Sequence, residues 1–92
     1  MTYEWFVYVM AREGYNVDMK DEYILIKDGI TNIAEVSRVM YGGIDTCWRG
    51  FENLSEKEQK FVVDTCWELA RTELSERKRQ DEDVDKLEKE QK

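Results

Sequence analysis

The clearest alternation of apolar and polar positions lies between Ser55 and Arg79. At about 100° per residue, the apolar side chains of this segment share one arc of roughly 160°, and charged residues cover the opposite side. The residues on that arc are Val62, Val63, Cys66, Trp67, Leu69, Ala70 and Leu74. Ser55 and Glu58 also have the spacing of a capping box. The pattern predicts a long amphipathic helix that starts after Ser55 and needs the rest of the chain to cover its apolar side.

The N-terminal pattern permits two interpretations. Residues 5–10 form an unbroken aromatic and aliphatic run, Trp-Phe-Val-Tyr-Val-Met, which would suit a buried strand. Signals for a helix surround this run, because Thr2 can cap its start and Gly14 can end it in a left-handed conformation. Glu4 and Arg12 carry the charges that the helix dipole favours at its two ends. We therefore predict a helix over residues 3–13 that is apolar on more than one side.

The pattern changes period twice between residues 15 and 54. Residues 15–20 alternate apolar and polar side chains and residues 22–28 contain Tyr-Ile-Leu-Ile, so together they predict a β-hairpin. Apolar residues then recur at helical spacing over residues 32–41, before the pair Gly42-Gly43. A helix is therefore expected over residues 32–41, and another short helix over residues 45–52, broken near Gly50.

Together these elements predict an α+β fold. Its order is an N-terminal helix, a β-hairpin, then a helical half of two shorter helices and one long C-terminal helix. We place a single small globular domain at residues 1–79. Residues 80–92 contain only Val84 and Leu87 as apolar side chains, which is too few for a coiled coil. This segment is therefore expected to be a charged tail, either flexible or a frayed helix.

Composition limits the class of protein. Ninety-two residues are enough for one modest core, and 41% hydrophobic residues indicate a folded chain despite 38% charged residues. The sequence holds no apolar run of roughly eighteen residues, and residues 3–10 lack the flanks of a signal peptide. We therefore expect a cytoplasmic protein with no membrane association. The net charge of −7 disfavours nucleic acid and anionic membranes, and favours a basic partner or no charged partner.

No pattern of reaction chemistry emerges from the sequence. There is no histidine, and Cys47 and Cys66 lack CxxC spacing, so the usual zinc sites and histidine-based catalysis are excluded. The tetrapeptide Asp-Thr-Cys-Trp occurs at 45–48 and again at 64–67. A redox pair of the two cysteines is one interpretation, and packing of both cysteines and both tryptophans in the core is the one we favour. We predict no catalytic residue, no metal site and no cofactor, and so a protein that is not an enzyme.

The three helices predicted between residues 32 and 79 also suggest a helix-turn-helix DNA-binding regulator. The candidate recognition helix over 45–52 carries Arg49 against Asp45 and Glu52. It therefore offers little positive charge to a phosphate backbone. Binding to nucleic acid is the less favoured alternative.

The leading functional hypothesis is a non-enzymatic protein-binding module, in one form an acidic inhibitor or adaptor that docks on a protein partner. Being short, proline-free, acidic and aromatic-rich, the chain is similar to small accessory proteins of phages and mobile elements. The alternative is a self-assembling structural homo-oligomer, most simply a homodimer, because a core of this size cannot enclose every apolar residue of the first element. The predicted interface residues are Trp5, Phe6, Tyr8 and Val9.

Overall fold

A computed structural model of the chain describes residues 1–46 and 48–78. These residues form an α+β domain in which helices and a sheet pack on a common core. The elements in chain order are α1 (Tyr3–Arg12), β1 (Asn16–Met19), β2 (Tyr23–Asp28), β3 (Thr31–Ser37), β4 (Ile44–Asp45), α2 (Arg49–Glu52), α3 (Glu56–Ala70) and a 3₁₀ turn (Leu74–Glu76). The coarse prediction of fold class is confirmed.

The strands of the described part of the chain form one antiparallel sheet in the order β1-β2-β3-β4. The predicted hairpin is its first half, with Val17 opposite Ile26 and Met19 opposite Ile24. Buried Ile24 and Ile26 alternate with the half-buried Leu25, as expected for a sheet with one covered face. That covered face meets α1 and α3.

The core lies between the sheet and the two longer helices. Phe6 and Met10 enter it from α1, while Val62, Cys66 and Leu69 enter from α3. All five side chains have no exposed surface. The remaining buried apolar residues are Tyr15, Ile24, Ile26, Ile33, Ala34, Val36 and Ala70.

The helix predicted over residues 32–41 is wrong, because this segment begins as strand β3. Val36 pairs with Ile24 and Ala34 with Ile26, so β3 extends the hairpin to a third strand. The register shifts between Ile26 and Lys27, and this bulge leaves Ile33 as an extra residue on β3. Ile33 and Ala34 are consequently both buried although they are adjacent. The bulge explains why the apolar spacing imitates a helix.

Two further helix boundaries differ from the prediction. The segment over 45–52 contains the end of β4 and only a four-residue helix, Arg49–Glu52. The three consecutive helices on which the helix-turn-helix alternative depended are therefore absent from the described residues. The long helix begins after Ser55 as predicted, with the Ser55 hydroxyl accepting from the Glu58 amide, but it ends at Ala70 rather than near residue 79.

Arg77 caps the C-terminal end of α3. Its guanidinium is fully buried and donates to the carbonyl oxygens of Ala70, Thr72 and Ser37 at 3.1, 3.0 and 2.7 Å. A positive group at the last carbonyl of α3 is favoured by the helix dipole. Beyond Ala70 the chain leaves the helix and turns back, so that Arg77 caps α3 and joins it to the end of β3.

The predicted domain boundary and tail fall on Arg79 and residues 80–92, which lie outside the described residues. Among the residues described, no helix is long and apolar enough to cross a membrane.

Candidate functional site

One side of α1 faces solvent with mostly apolar residues. Phe6 and Met10 point into the core, whereas Trp5, Val7 and Tyr8 are 52%, 36% and 51% exposed. We define the α1 outer face as the six exposed positions of this helix, which are Glu4, Trp5, Val7, Tyr8, Ala11 and Arg12. A helix whose inner side already supplies the core normally presents polar residues outward. The α1 outer face departs from that rule.

The aromatic side chains of this face are ordered against each other. The rings of Trp5 and Tyr8 stack with centroids 5.2 Å apart and planes inclined by 29°. The guanidinium of Arg12 lies 5.8 Å from the centre of the Tyr8 ring, within the range of a cation–π contact. Beside the stack is a shallow depression of about 400 Å³, lined by Thr2, Glu4, Trp5 and Tyr8. The face therefore combines a stacked aromatic pair with a shallow recess.

Capping interactions at the start of α1 hold this face in place. The Thr2 hydroxyl accepts from the Trp5 amide at 3.1 Å, as the capping signal predicts. The Tyr3 amide, which would otherwise lack a partner in the first turn, donates to the carbonyl of Arg77 at 2.6 Å. The helix is thus fixed at its N-terminus by both local and distant groups.

The structure brings Trp5 and Tyr8 together and separates the other two predicted interface residues from them. Val9 is half-buried at the edge of the helix. Phe6 lies in the core with no exposed surface, so a partner cannot reach it in this structure. Val7 and Arg12 belong to the face and were not among the predicted residues. The four-residue spacing of Glu4, Tyr8 and Arg12 was the sequence signal that could have identified the outward side.

The outer side of α3 provides a comparison within the same domain. Lys60 and Asp64 form an exposed i,i+4 ion pair at 2.8 Å, and Glu68 and Arg71 are also exposed. Trp67 is the exception, at 41% exposed, although the sequence placed it on the apolar arc. The outer side of α3 is therefore chiefly charged, as a solvated helix requires, and α1 differs from it.

A second group of exposed apolar side chains lies on the loop after β3. Val39, Met40 and Tyr41 are 57%, 65% and 57% exposed. The Ser37 hydroxyl accepts from the amides of Val39 and Met40, and the Gly42 amide donates to the carbonyl of Ala70 at 2.8 Å. The sequence-based prediction does not identify this loop, because it places these residues in the helix expected over residues 32–41.

The described cysteine and acidic side chains offer little for redox or metal chemistry. Burial raises the pKa of the Cys66 thiol from 9.0 to about 12, so the thiolate needed for redox chemistry is disfavoured. Cys47, the other member of the predicted pair, lies outside the described residues. Among residues 1–46 and 48–78, no cluster of three or more Cys, Asp or Glu side chains could hold a metal ion.

Three of the six residues that line the depression at the start of α3 bind each other. It measures about 500 Å³, and Tyr15 and Glu58 are among the residues that line it. The Tyr15 hydroxyl donates to one Glu58 carboxylate oxygen at 3.1 Å, and Ser55 donates to the other at 3.0 Å. Burial, and then the hydrogen bond to Glu58, raise the pKa of Tyr15 from 10.0 to about 12. These groups cap and stabilise α3, so the α1 outer face is the better candidate site.

Comparison with known proteins adds no relative: no protein-family model matches the chain, and no curated protein or solved structure is significantly similar to it.

Proposed function

We propose that this protein is a non-enzymatic protein-binding module that docks through the α1 outer face. The observation that carries the proposal is the exposure of Trp5, Val7 and Tyr8 on a helix whose core-facing side is already complete. Contiguous exposed apolar surface of this kind marks interaction sites in folded proteins. The remaining exposed positions of α1 supply one negative and one positive charge, as is usual at the polar rim of an interface.

The composition and order of the face suit an anchor. Tryptophan, tyrosine and arginine are the residue types that most often dominate binding energy, and all three are present. Because Trp5 and Tyr8 already stack on each other, less side-chain freedom is lost when a partner covers them. Burial of two large aromatic rings therefore contributes affinity with a small entropic cost.

The inhibitor form of the proposal has a separate support in the charge of the sheet. Cross-strand pairing places Asp18, Leu25, Glu35 and Asp45 in one row on the side of the sheet opposite Ile24 and Val36. This row and the net charge of −7 favour a partner with a basic surface, such as a protein that itself binds nucleic acid.

The test is capture of partners from the native cell with matched variants of the chain. Trp5→Ala with Tyr8→Ala removes the aromatic stack, and both side chains are more than half exposed, so the fold should be retained. Val39→Ser with Met40→Ser removes a comparable exposed apolar pair from the loop after β3 and serves as the control.

We expect the partner captured by the unaltered chain to be lost with the α1 variant and retained with the loop variant. Retention by the α1 variant would refute the placement of the surface. Equal loss with both variants would mean that the binding does not depend on a specific face.

A further inference from the structure

We propose that the partner of the α1 outer face is a second copy of this chain, with the two α1 helices antiparallel about a twofold axis level with Tyr8. This inference rests on the proposed function, since it uses the same face, and it adds the identity of the partner and the geometry of the complex.

The charges of the face are arranged symmetrically about Tyr8. Glu4 precedes Tyr8 by four residues and Arg12 follows it by four, so each lies about 6 Å from Tyr8 along the helix axis. When two such helices run antiparallel with their Tyr8 residues level, Glu4 of each copy is level with Arg12 of the other. Both ends of the pair then bring opposite charges together. In a parallel pair, Glu4 would meet Glu4 and Arg12 would meet Arg12.

The apolar residues follow the same symmetry. With the axis level with Tyr8, the large side chain of Trp5 in one copy is level with the small side chain of Ala11 in the other. Both positions are exposed in the single chain. Alternation of large and small side chains allows two helices to approach closely. The face is therefore complementary to itself in size as well as in charge.

Net charge also favours this face as the place where two copies meet. The chain as a whole carries −7, so two copies repel each other over most of their surface. The α1 outer face contains one acidic and one basic residue and is neutral by itself. Repulsion between copies is therefore weaker at this apolar face than over the acidic parts of the surface.

The length of α1 limits the strength of the pair. Its ten residues span about 15 Å. One helix face of this length is smaller than the roughly 800 Å² per partner that stable complexes bury. We therefore expect a weak dimer with a dissociation constant in the micromolar range, populated at about 50 µM and largely dissociated near 1 µM.

Charge reversal tests both the partner and the geometry, with sedimentation equilibrium of the whole chain as the measurement. Arg12→Glu places a carboxylate opposite Glu4 of the other copy, and Glu4→Arg places a guanidinium opposite Arg12. Each single reversal should weaken the dimer about tenfold, because two contacts change from attractive to repulsive. An equimolar mixture of the two variants should form a heterodimer, and the double variant Glu4→Arg with Arg12→Glu should regain the original affinity.

The double variant and a surface control separate pairing from helix stability. Both reversals oppose the α1 dipole, so an effect on the helix alone would be greater in the double variant than in either single one. Lys57→Glu reverses an exposed charge on α3 and should leave the dimer unchanged. Circular dichroism of each variant checks that α1 is retained.

The possible outcomes separate the self-pairing, the antiparallel arrangement and the placement of the interface. A monomer at about 50 µM would overturn the self-pairing, and the proposed function would stand if Trp5→Ala with Tyr8→Ala still abolished capture of another protein. A dimer that neither single reversal weakens would contradict the antiparallel arrangement, because a parallel pair already opposes like charges. A dimer that survives Trp5→Ala with Tyr8→Ala would overturn this interface altogether.

Discussion

Replacement of Arg77 by alanine should destabilise the domain far more than replacement of any exposed charged residue among those described. The Arg77 side chain has no exposed surface and donates three hydrogen bonds to backbone carbonyls, from Ala70, Thr72 and Ser37. Loss of the side chain removes these donors, breaks the link between α3 and β3, and leaves a cavity.

The expected change in the free energy of unfolding is the difference between two opposing contributions. Hydrogen bonds from a charged donor contribute about 1.5–3 kcal/mol each, so three of them contribute roughly 4–9 kcal/mol. Removal of the side chain also removes the cost of burying a cation, which is several kcal/mol. The difference is a net loss of about 3 kcal/mol for Arg77→Ala. In a domain of this size each kcal/mol lowers the melting temperature by about 4–8 °C, so the expected fall is about 12–24 °C.

Two matched variants make the measurement specific. Arg77→Lys keeps the positive charge but offers a single compact donor, so it should recover only part of the loss. Lys78→Ala removes the next basic residue, which is exposed, and should change the free energy of unfolding by less than about 0.5 kcal/mol. Thermal and urea unfolding followed by circular dichroism measure all three. A fall of less than about 4 °C for Arg77→Ala would mean that the three hydrogen bonds of this buried group contribute little to stability.

Three other predictions concern the ends and the interior of the domain. A chain that ends after Arg79 should melt within about 4 °C of the full chain. One that ends after Glu76 should lose at least as much stability as Arg77→Ala does, because it also loses the carbonyl that accepts from the Tyr3 amide. Cys66→Ser should cost about 1–3 kcal/mol because it buries a hydroxyl, and reductant should not change the melting temperature of the unaltered chain. Folding raises the pKa of Tyr15 to about 12, so folding favours the neutral phenol, and stability should fall as pH rises from about 10 to 12. Tyr15→Phe should make that fall less steep in unfolding measured across this range, and an unchanged slope would contradict the assignment.

Elements with local signals could be predicted from the sequence. Thr2 and Ser55 cap α1 and α3 as their positions suggested, and the alternation over residues 15–20 located the first strand. Capping and hairpin signals depend on residues that are close in the chain, so the sequence displays them directly.

Features that depend on distant parts of the chain could not be predicted in this way. Strand β3 exists because Ala34 and Val36 pair with β2, and the bulge at Ile33 gave the segment a helical spacing of apolar residues. The last carbonyl of α3 is capped by Arg77, which returns from seven residues beyond Ala70. Neither the pairing of β3 with β2 nor the return of the chain at Arg77 leaves a pattern among neighbouring residues of the sequence.

The candidate surface could likewise be predicted from the sequence only in part. The run of apolar residues in α1 indicated that some would remain exposed, and Trp5 and Tyr8 are exposed. Which residues turn inward depends on the arc of the helix that meets the sheet, and this placed Phe6 in the core. The four-residue spacing of Glu4, Tyr8 and Arg12 identifies an exposed side of α1 only once the buried arc of the helix is known.

The hydrogen bond from the Tyr3 amide to the Arg77 carbonyl has a consequence for the order in which the domain folds. The two residues lie near opposite ends of the described chain, so this contact closes a loop that contains most of the described helices and strands. A contact between such distant positions forms slowly, because a long loop must close first. The first turn of α1 therefore gains its distant partner only after the segment that follows α3 has docked, and we expect this end of the helix to be among the last parts of the domain to become ordered.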